Sequence, residues 1–334
     1  MVAYVSYRTV IQSRVLEASM LQKLLRLFVG LCMGGSVALL ASQSIAQEMD
    51  GHISSLVEKL SRNERVFGVS TYDLSLENAR TLAREDIDYL YVDMEHGPMD
   101  FAALQTFLLG MTDRKAIFDN GHLRQRVTPL ARIAPYGRET PEWAVKQALD
   151  VGLMGLIFPS IETPEQALRA VRAMRYPQRR GGPYMEPQGL RGSGPAIATW
   201  LWGMTGADYV QHADLWPLNP NGDLVAFMMI ESRTGVRNAD AIAQVPGVAG
   251  FYIGPSDLSN SLGVDRSNAE VEEAIQTVVD VCRVRDIACG ITASAADMSR
   301  RIAQGFTVLG AGRAGGGLSA GNQAAVQAGR AVDN

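Results

Sequence analysis

From residue 66 onward, short apolar runs recur along the chain, and the longer stretches between them place apolar residues at helical rather than alternating spacing. The runs fall at 66–70, 89–93, 129–133, 155–158, 225–230, 250–253, 288–291 and 307–309. Strands that read as continuous apolar runs are buried on both faces, so the pattern predicts a parallel sheet covered by helices. Helix formers fill 141–151, 164–175 and 269–285, and Thr140 and Thr163 each stand before a proline, where they are expected to cap a helix.

Eight such alternations over about 260 residues suit a closed (β/α)8 TIM barrel better than an open doubly wound sheet. No glycine-rich dinucleotide fingerprint follows the first run, and no P-loop occurs anywhere in the chain. Two stretches interrupt the alternation. Residues 112–127 are polar and charged, and 177–223 form a long segment rich in Gly, Pro and Trp, of the length expected for a lid or an oligomer contact.

The N-terminal segment has a different character. Lys23 and Arg26 precede the apolar stretch 27–40, and Ser44-Ile45-Ala46 supplies a small-x-small cleavage pattern. Residues 1–46 are therefore read as a leader cleaved near Ala46, with 1–19 an upstream extension if Met20 is the true start. The mature chain, 47–334, is expected to be a single exported, periplasmic domain. The apolar core of the leader is shorter than the roughly 20 residues that span a bilayer, so no stable membrane insertion is expected after cleavage. Cys32 follows Leu31 rather than a small residue, which argues against lipid modification. Cys282 and Cys289 are expected to be buried, unpaired thiols.

The chain is 47% apolar with a net charge of -4 and dispersed basic residues, so it is globular and lacks the electrostatic footprint of a nucleic-acid binder.

A TIM barrel builds its site where the strands end at the carboxyl face. Polar residues concentrate there in Tyr91-Val92-Asp93-Met94-Glu95-His96-Gly97-Pro98, at Arg132, in Ile230-Glu231-Ser232-Arg233, and in Ile253-Gly254-Pro255-Ser256-Asp257-Leu258-Ser259. Glu231 and Asp257 come from adjacent strand ends and could share one hard cation, Mg2+ or Mn2+, with Co2+ also compatible. Taken singly, each is an ordinary loop acid. His96 is the candidate general base, and Asp93 is placed to hold its ring and fix the tautomer. Glu95 is expected on the same side as Asp93, either binding a metal-bound water or satisfied by a neighbouring loop. Arg132 offers a bidentate cation to an oxyanion or carboxylate. Arg191, in Gly189-Leu190-Arg191-Gly192-Ser193-Gly194, sits on a loop that could close over substrate or simply be pinned by it. The amides of Ser256 and Asp257 are candidate donors to a substrate carboxylate. His52, His122 and His212 fall at the leader boundary or in the insertions and are expected to be solvated.

An ordered set of short blocks carries a resemblance. Val92-Asp93-Met94-Glu95-His96-Gly97-Pro98, Arg132-Ile133-Ala134-Pro135, Ala148-Leu149-Asp150-Val151-Gly152, Arg175-Tyr176-Pro177 with Gly189-Leu190-Arg191-Gly192, Ile230-Glu231, and residues 250–259 follow one another in the chain. Together they resemble the HpcH/HpaI aldolase and citrate lyase family, in particular the class II pyruvate aldolases similar to 4-hydroxy-2-oxoheptanedioate aldolase. The resemblance implies a TIM barrel of the phosphoenolpyruvate/pyruvate type and a metal-dependent lyase that cleaves or forms a 4-hydroxy-2-oxo acid through a pyruvate enolate. It implies a divalent ion on Glu231 and Asp257 that chelates the pyruvate oxygens. His96, oriented by Asp93, would move protons through a bound water, and Arg132 would stabilise the enolate. Oligomers, trimers or hexamers with an exchanged C-terminal helix, are implied as well. One position departs from the family: members often carry Gln two residues before the metal-binding Glu, where this chain has Met229. Two other functions compete. One is a CoA-thioester lyase of the citrate-lyase type, for which Arg179-Arg180 is the available basic pair. The other is a non-catalytic periplasmic protein that binds a small oxo acid.

Overall fold

Eight parallel strands close into one barrel in chain order: β1 Val66–Thr71, β2 Tyr89–Asp93, β3 Thr128–Arg132, β4 Gly155–Phe158, β5 Val225–Ile230, β6 Gly250–Ile253, β7 Ala288–Thr292 and β8 Val308–Arg313. The structure is a computed structural model that describes residues 51–333. The leader assigned to 1–46, with Met20 and Cys32, lies outside these residues. Among the described residues no helix is long and apolar enough to cross a membrane.

The helices, in chain order, are α1 Ser55–Leu60, α2 Leu76–Leu82, α3 Phe101–Met111, α4 Arg114–Asn120, α5 Glu142–Asp150, α6 Pro164–Met174, α7 Ala196–Trp202, α8 Gly206–His212, α9 Arg233–Ala243, α10 Pro255–Leu262, α11 Ala269–Arg285, α12 Ala295–Gln304 and α13 Ala320–Asp333. They ring the barrel, and a continuous apolar core fills the space between the two layers. Inside the barrel, Tyr89, Tyr91, Leu130, Ile157, Phe227, Met229 and Tyr252 stack, and Leu56, Val57 and Leu60 of α1 join that inner cluster.

The apolar runs locate the strands closely, and four coincide with β2, β4, β5 and β6. The largest difference is β8, which continues from Leu309 through Gly310, Ala311 and Gly312 to Arg313. Its small residues look like loop in sequence, but a Cβ on Gly310 would come within 2.5 Å of the Tyr252 hydroxyl oxygen. The strand is small there because a tyrosine from β6 fills the space.

Thr163 caps α6 in a full capping box with Gln166. Thr140 does not cap its helix: α5 starts at Glu142, so Pro141 takes the cap position and makes no side-chain hydrogen bond. Cys282 and Cys289 are buried and free.

Both insertions link the end of a helix to the next strand. Helices run antiparallel to the strands they follow, so these connections lie at the amino end of the barrel, opposite the mouth. The 177–223 segment is therefore not a lid over the mouth. Arg175, fully buried, ties it down by donating to Asp214 at 2.6 and 3.0 Å and to the Pro187 and Tyr184 carbonyls at 2.6 and 2.7 Å. Arg191 is likewise no substrate-closing residue. Its guanidinium is buried against Asp150 at 2.7 Å and the Tyr209 hydroxyl at 3.0 Å, and lies 4.4 Å from the Tyr176 ring centre. Asp150 ends α5, so Arg191 pins the loop to the floor of the barrel.

Two of the histidines expected in solvent are not free either. Asp223, fully buried, accepts the Ser54 amide at 3.0 Å and is flanked by the Nδ1 atoms of His212 at 2.9 Å and His52 at 3.3 Å. His122 is half-buried.

Candidate active site

The mouth is assembled from the ends of β1, β2, β3, β4, β5, β6 and β8. Asp93 and Arg132 stand side by side across the β2–β3 ladder. Arg132 grips Asp93 bidentately, with Nε to Oδ1 at 3.0 Å and Nη2 to Oδ2 at 2.6 Å. Burial works to raise the Asp93 pKa. The Arg132 hydrogen bonds and charge, the Tyr72 hydroxyl and the His96 amide more than reverse that, and the carboxylate stays below its ordinary range.

Asp93 does not orient the His96 ring. The segment after β2 turns back so that the Glu95 and His96 amides, at 3.3 and 3.4 Å, meet Asp93 Oδ1, an Asx-type turn that leaves the imidazole pointing elsewhere. The imidazole is largely exposed, and its Nε2 lies 3.5 Å from Glu95 Oε2. The residue that Asp93 fixes is Arg132.

Glu95 Oε2 is 3.1 Å from Arg132 Nη1, close enough to pair, but buried and without hydrogen-bond geometry to any partner. Burial, opposed by Arg132 and reinforced by the charges of Asp93 and Asp257, pushes Glu95 up to about 7. Across the mouth, Glu231 Oε1 accepts the Ser160 amide at 2.7 Å and lies 3.3 Å from its hydroxyl. Glu231 is also pushed up to about 7, by burial first, against the Ser160 amide, with Glu95 and Asp257 adding like charge. Three carboxylates from β2, β5 and the start of α10 therefore share one space with one arginine. Arg132 Nη1 also sits 3.8 Å from Met229 Sδ, so Met229 lines this space with a thioether.

Such all-oxygen donors facing one another, two of them raised to about 7 by burial and then by like charge, fit a hard divalent cation. Glu231 Oε2 faces Gly254, where a Cβ would intrude to 2.6 Å, so the glycine keeps that oxygen accessible. Asp257 is exposed at the third position of α10, directly after Ser256. Among the described residues no three carboxylate, imidazole or thiolate groups close into a complete ligand set, so the protein's share would be partial, with water and substrate supplying the rest. The Ser256 and Asp257 amides belong to the first turn of α10, whose N–H groups have no acceptor in their own helix and carry its positive dipole end.

Three residues of the mouth escape the sequence reading. Ser160, two residues past the end of β4, lies in the left-handed region, φ 57°, an arrangement that lets its amide and hydroxyl both meet Glu231. Gly137 makes room for it, since a Cβ there would collide with the Ser160 carbonyl. Tyr72 follows β1 and Arg313 ends β8. The strand-end rule finds all three once it is applied to every strand and β8 is given its full length.

Comparison with known proteins bears on this arrangement. The sequence model for HpcH/HpaI aldolase/citrate lyase matches residues 75–318. A hydroxypyruvate/pyruvate aldolase from Paraburkholderia phytofirmans is 32% identical over 240 residues, covering 71% of this chain and 82% of that protein. A 2-keto-3-deoxy-L-rhamnonate aldolase from Escherichia coli is 31% identical over 250 residues, covering 73% and 80%. A solved HpcH/HpaI aldolase/citrate lyase family protein from Burkholderia cenocepacia superimposes with a TM-score of 0.65 at 28% identity, over 84% of this chain and 100% of that one.

Proposed function

Because the chain belongs to the HpcH/HpaI aldolase/citrate lyase family, we propose that it is a metal-dependent aldolase that cleaves or forms a 4-hydroxy-2-oxo acid, with pyruvate as the oxo-acid fragment. The observation that carries this reading is the gathering of Glu95, Glu231 and Asp257 around Arg132 at the mouth, with Glu95 and Glu231 both held up to about 7.

A Mg2+ or Mn2+ ion held by Glu231 and Asp257 would supply Lewis-acid polarisation of the substrate's 2-oxo group. The chain's own residues do the remaining work. Ser160 holds Glu231 in one orientation through its amide and hydroxyl. Asp93 is a positioning residue: it locks the Arg132 fork so that Nη1 faces the mouth, where it stabilises negative charge that develops on the oxo oxygen as the C3–C4 bond breaks. His96 takes the proton of the 4-hydroxyl, so that this carbon leaves as an aldehyde, and a proton is returned at C3. Glu95, 3.5 Å from His96 Nε2 and raised to about 7, exchanges that proton with the imidazole. The Ser256 and Asp257 amides receive the substrate carboxylate.

The test is pyruvate release from 4-hydroxy-2-oxo acids by the purified chain, chelated and then loaded with Mn2+ or Mg2+, beside Glu231→Ala and His96→Ala. Release that needs metal and is lost in both variants is the expected result. Release indifferent to metal refutes the metal role. No release from any such acid by metal-loaded protein moves the assignment to an oxo-acid binding protein.

A further inference from the structure

Met229 lines the mouth with a thioether, among groups that are otherwise charged or hydrogen-bonding. It stands two residues before Glu231 at the end of β5, so strand alternation turns both side chains into the barrel. The residue is 4% exposed and belongs to the inner cluster with Tyr91, Ile157, Phe227 and Tyr252. Its Sδ lies 3.8 Å from Arg132 Nη1. Its Cε faces Gly254, where a Cβ would lie 3.2 Å from that methyl and 2.6 Å from Glu231 Oε2. The thioether thus runs from the cation that faces the substrate's oxo oxygen to the carboxylate assigned to the metal. An oxo-acid head held by both rests on it.

The polar side chains adjoining this wall are occupied. Arg132 gives Nε and Nη2 to Asp93 and turns Nη1 toward Glu95. Ser160 holds Glu231, and the Tyr252 hydroxyl pairs with Thr292 at 3.0 Å. Glu95 Oε2 faces His96 at 3.5 Å, on the side given to the 4-hydroxyl. The Met229 sulfur is a weak acceptor and no donor. A hydroxyl on C3, beside the oxo carbon, therefore leaves water without gaining a partner, whereas a hydrogen or a methyl group there packs on the polarisable thioether.

We infer that Met229 is a specificity-determining residue that makes the site prefer oxo-acid fragments with hydrogen or an alkyl group at C3, pyruvate and 2-oxobutanoate, over the 3-hydroxy fragment hydroxypyruvate. In the cleavage direction the favoured substrate then carries no hydroxyl at C3. 2-Oxobutanoate and hydroxypyruvate exchange CH3 for OH at nearly equal size, so their comparison separates polarity from volume. A hydroxyl left unpaired on an apolar wall is expected to weaken binding about ten-fold or more. The inference rests on the mouth being the oxo-acid site of the proposed aldolase, and it refines which oxo acid that site takes.

Binding and turnover test it separately. Calorimetric affinities of the Mn2+-loaded protein are compared for pyruvate, 2-oxobutanoate and hydroxypyruvate. The wild-type chain should bind 2-oxobutanoate about ten-fold or more tighter than hydroxypyruvate. Met229→Gln, of similar length but with an amide that donates and accepts, should bring the ratio near unity, and Met229→Leu, which stays apolar, should keep it. If the Gln variant does not fold, the wild-type ratio and its retention in Met229→Leu decide. Hydroxypyruvate bound as tightly as 2-oxobutanoate by the wild-type chain, a ratio unchanged in Met229→Gln or lost in Met229→Leu, or no binding of any of the three acids overturns the assignment. Pyruvate release from a 4-hydroxy-2-oxo acid on the same preparations judges the aldolase reading independently: discrimination without turnover sustains the role of Met229 and sinks the aldolase, and turnover without discrimination does the reverse.

Discussion

Replacing Glu231 with Gln should stabilise the metal-free protein at pH 8 and do so much less at pH 5. The Glu231 carboxyl, 6% exposed, is raised from 4.5 to about 7 in the fold, whereas an unfolded chain ionises its glutamates near 4.3. The sign follows from proton counting. Below the unfolded value both states hold the proton and the group costs nothing. As pH rises through the window from about 4.3 to 7, the unfolded state has released its proton while the folded state still holds it, so stability falls, and above 7 the penalty is complete. The difference between 4.3 and about 7 corresponds to at most about 4 kcal/mol. Because Glu95 and Asp257 contribute like charge and Glu95 is itself raised to about 7, about 1–3 kcal/mol is the expected loss between pH 5 and 8. Gln keeps an oxygen for the Ser160 amide but cannot ionise, so its stability should fall less over the same range. Urea unfolding with chelator at both pH values, with equal m-values, measures the difference. Mn2+ added to wild type at pH 8 at a hundred times its dissociation constant should restore about 2.7 kcal/mol, with a much smaller gain in the variant. Parallel pH profiles for the two proteins would refute the reasoning.

Gly254→Ala places a methyl 2.6 Å from Glu231 Oε2; metal affinity by calorimetry should drop about ten-fold or more, with stability lowered by about 1–3 kcal/mol, and unaltered affinity would show that this oxygen is not a ligand. Arg132→Lys cannot grip Asp93 bidentately and still face Glu95, so kcat should fall about 10²–10³-fold while the circular dichroism spectrum stays native; an unchanged kcat removes Arg132 from the chemistry. Arg191→Met strands Asp150 and empties the stack on Tyr176, costing about 3–5 kcal/mol in thermal or urea unfolding, yet kcat measured well below the melting temperature should hold; a selective loss of kcat would return Arg191 to the active site. We propose that residues 1–46 are removed on export, so the chain recovered from the periplasm of an expression host should begin at Gln47 by N-terminal sequencing; recovery with residues 1–46 intact excludes that cleavage.

The barrel is legible in the chain because strands buried on both faces need no alternation: 155–158 and 225–230 can be read straight off as apolar runs. The end of β8 is not, because its glycines answer to Tyr252 of β6, and that complementarity exists only across the barrel. Glu231, Asp257, His96 and Arg132 stand at strand ends, where a position rule suffices to find them. Their pairing is another matter. Asp93 meets Arg132 through the register of β2 on β3, and meets only the His96 amide, because the intervening residues turn. Three-residue spacing carries neither fact. Of the two roles the sequence leaves open for Arg191, the structure takes the loop-pinning one for a topological reason: a connection leaving the end of a helix returns to the barrel floor however flexible its glycines look.

That topology leaves the chain with two faces that can change independently. The long connection 177–223 is anchored to the floor through Arg175 and Arg191. Its exposed stretch around Arg179, Arg180 and Gly181 has open space beside it, with nothing within 4 Å of a Cβ built on Gly181. A tether grafted there would fasten the molecule to a solid support by its base. Immobilised this way, every copy would present its reactive rim to the flowing solution.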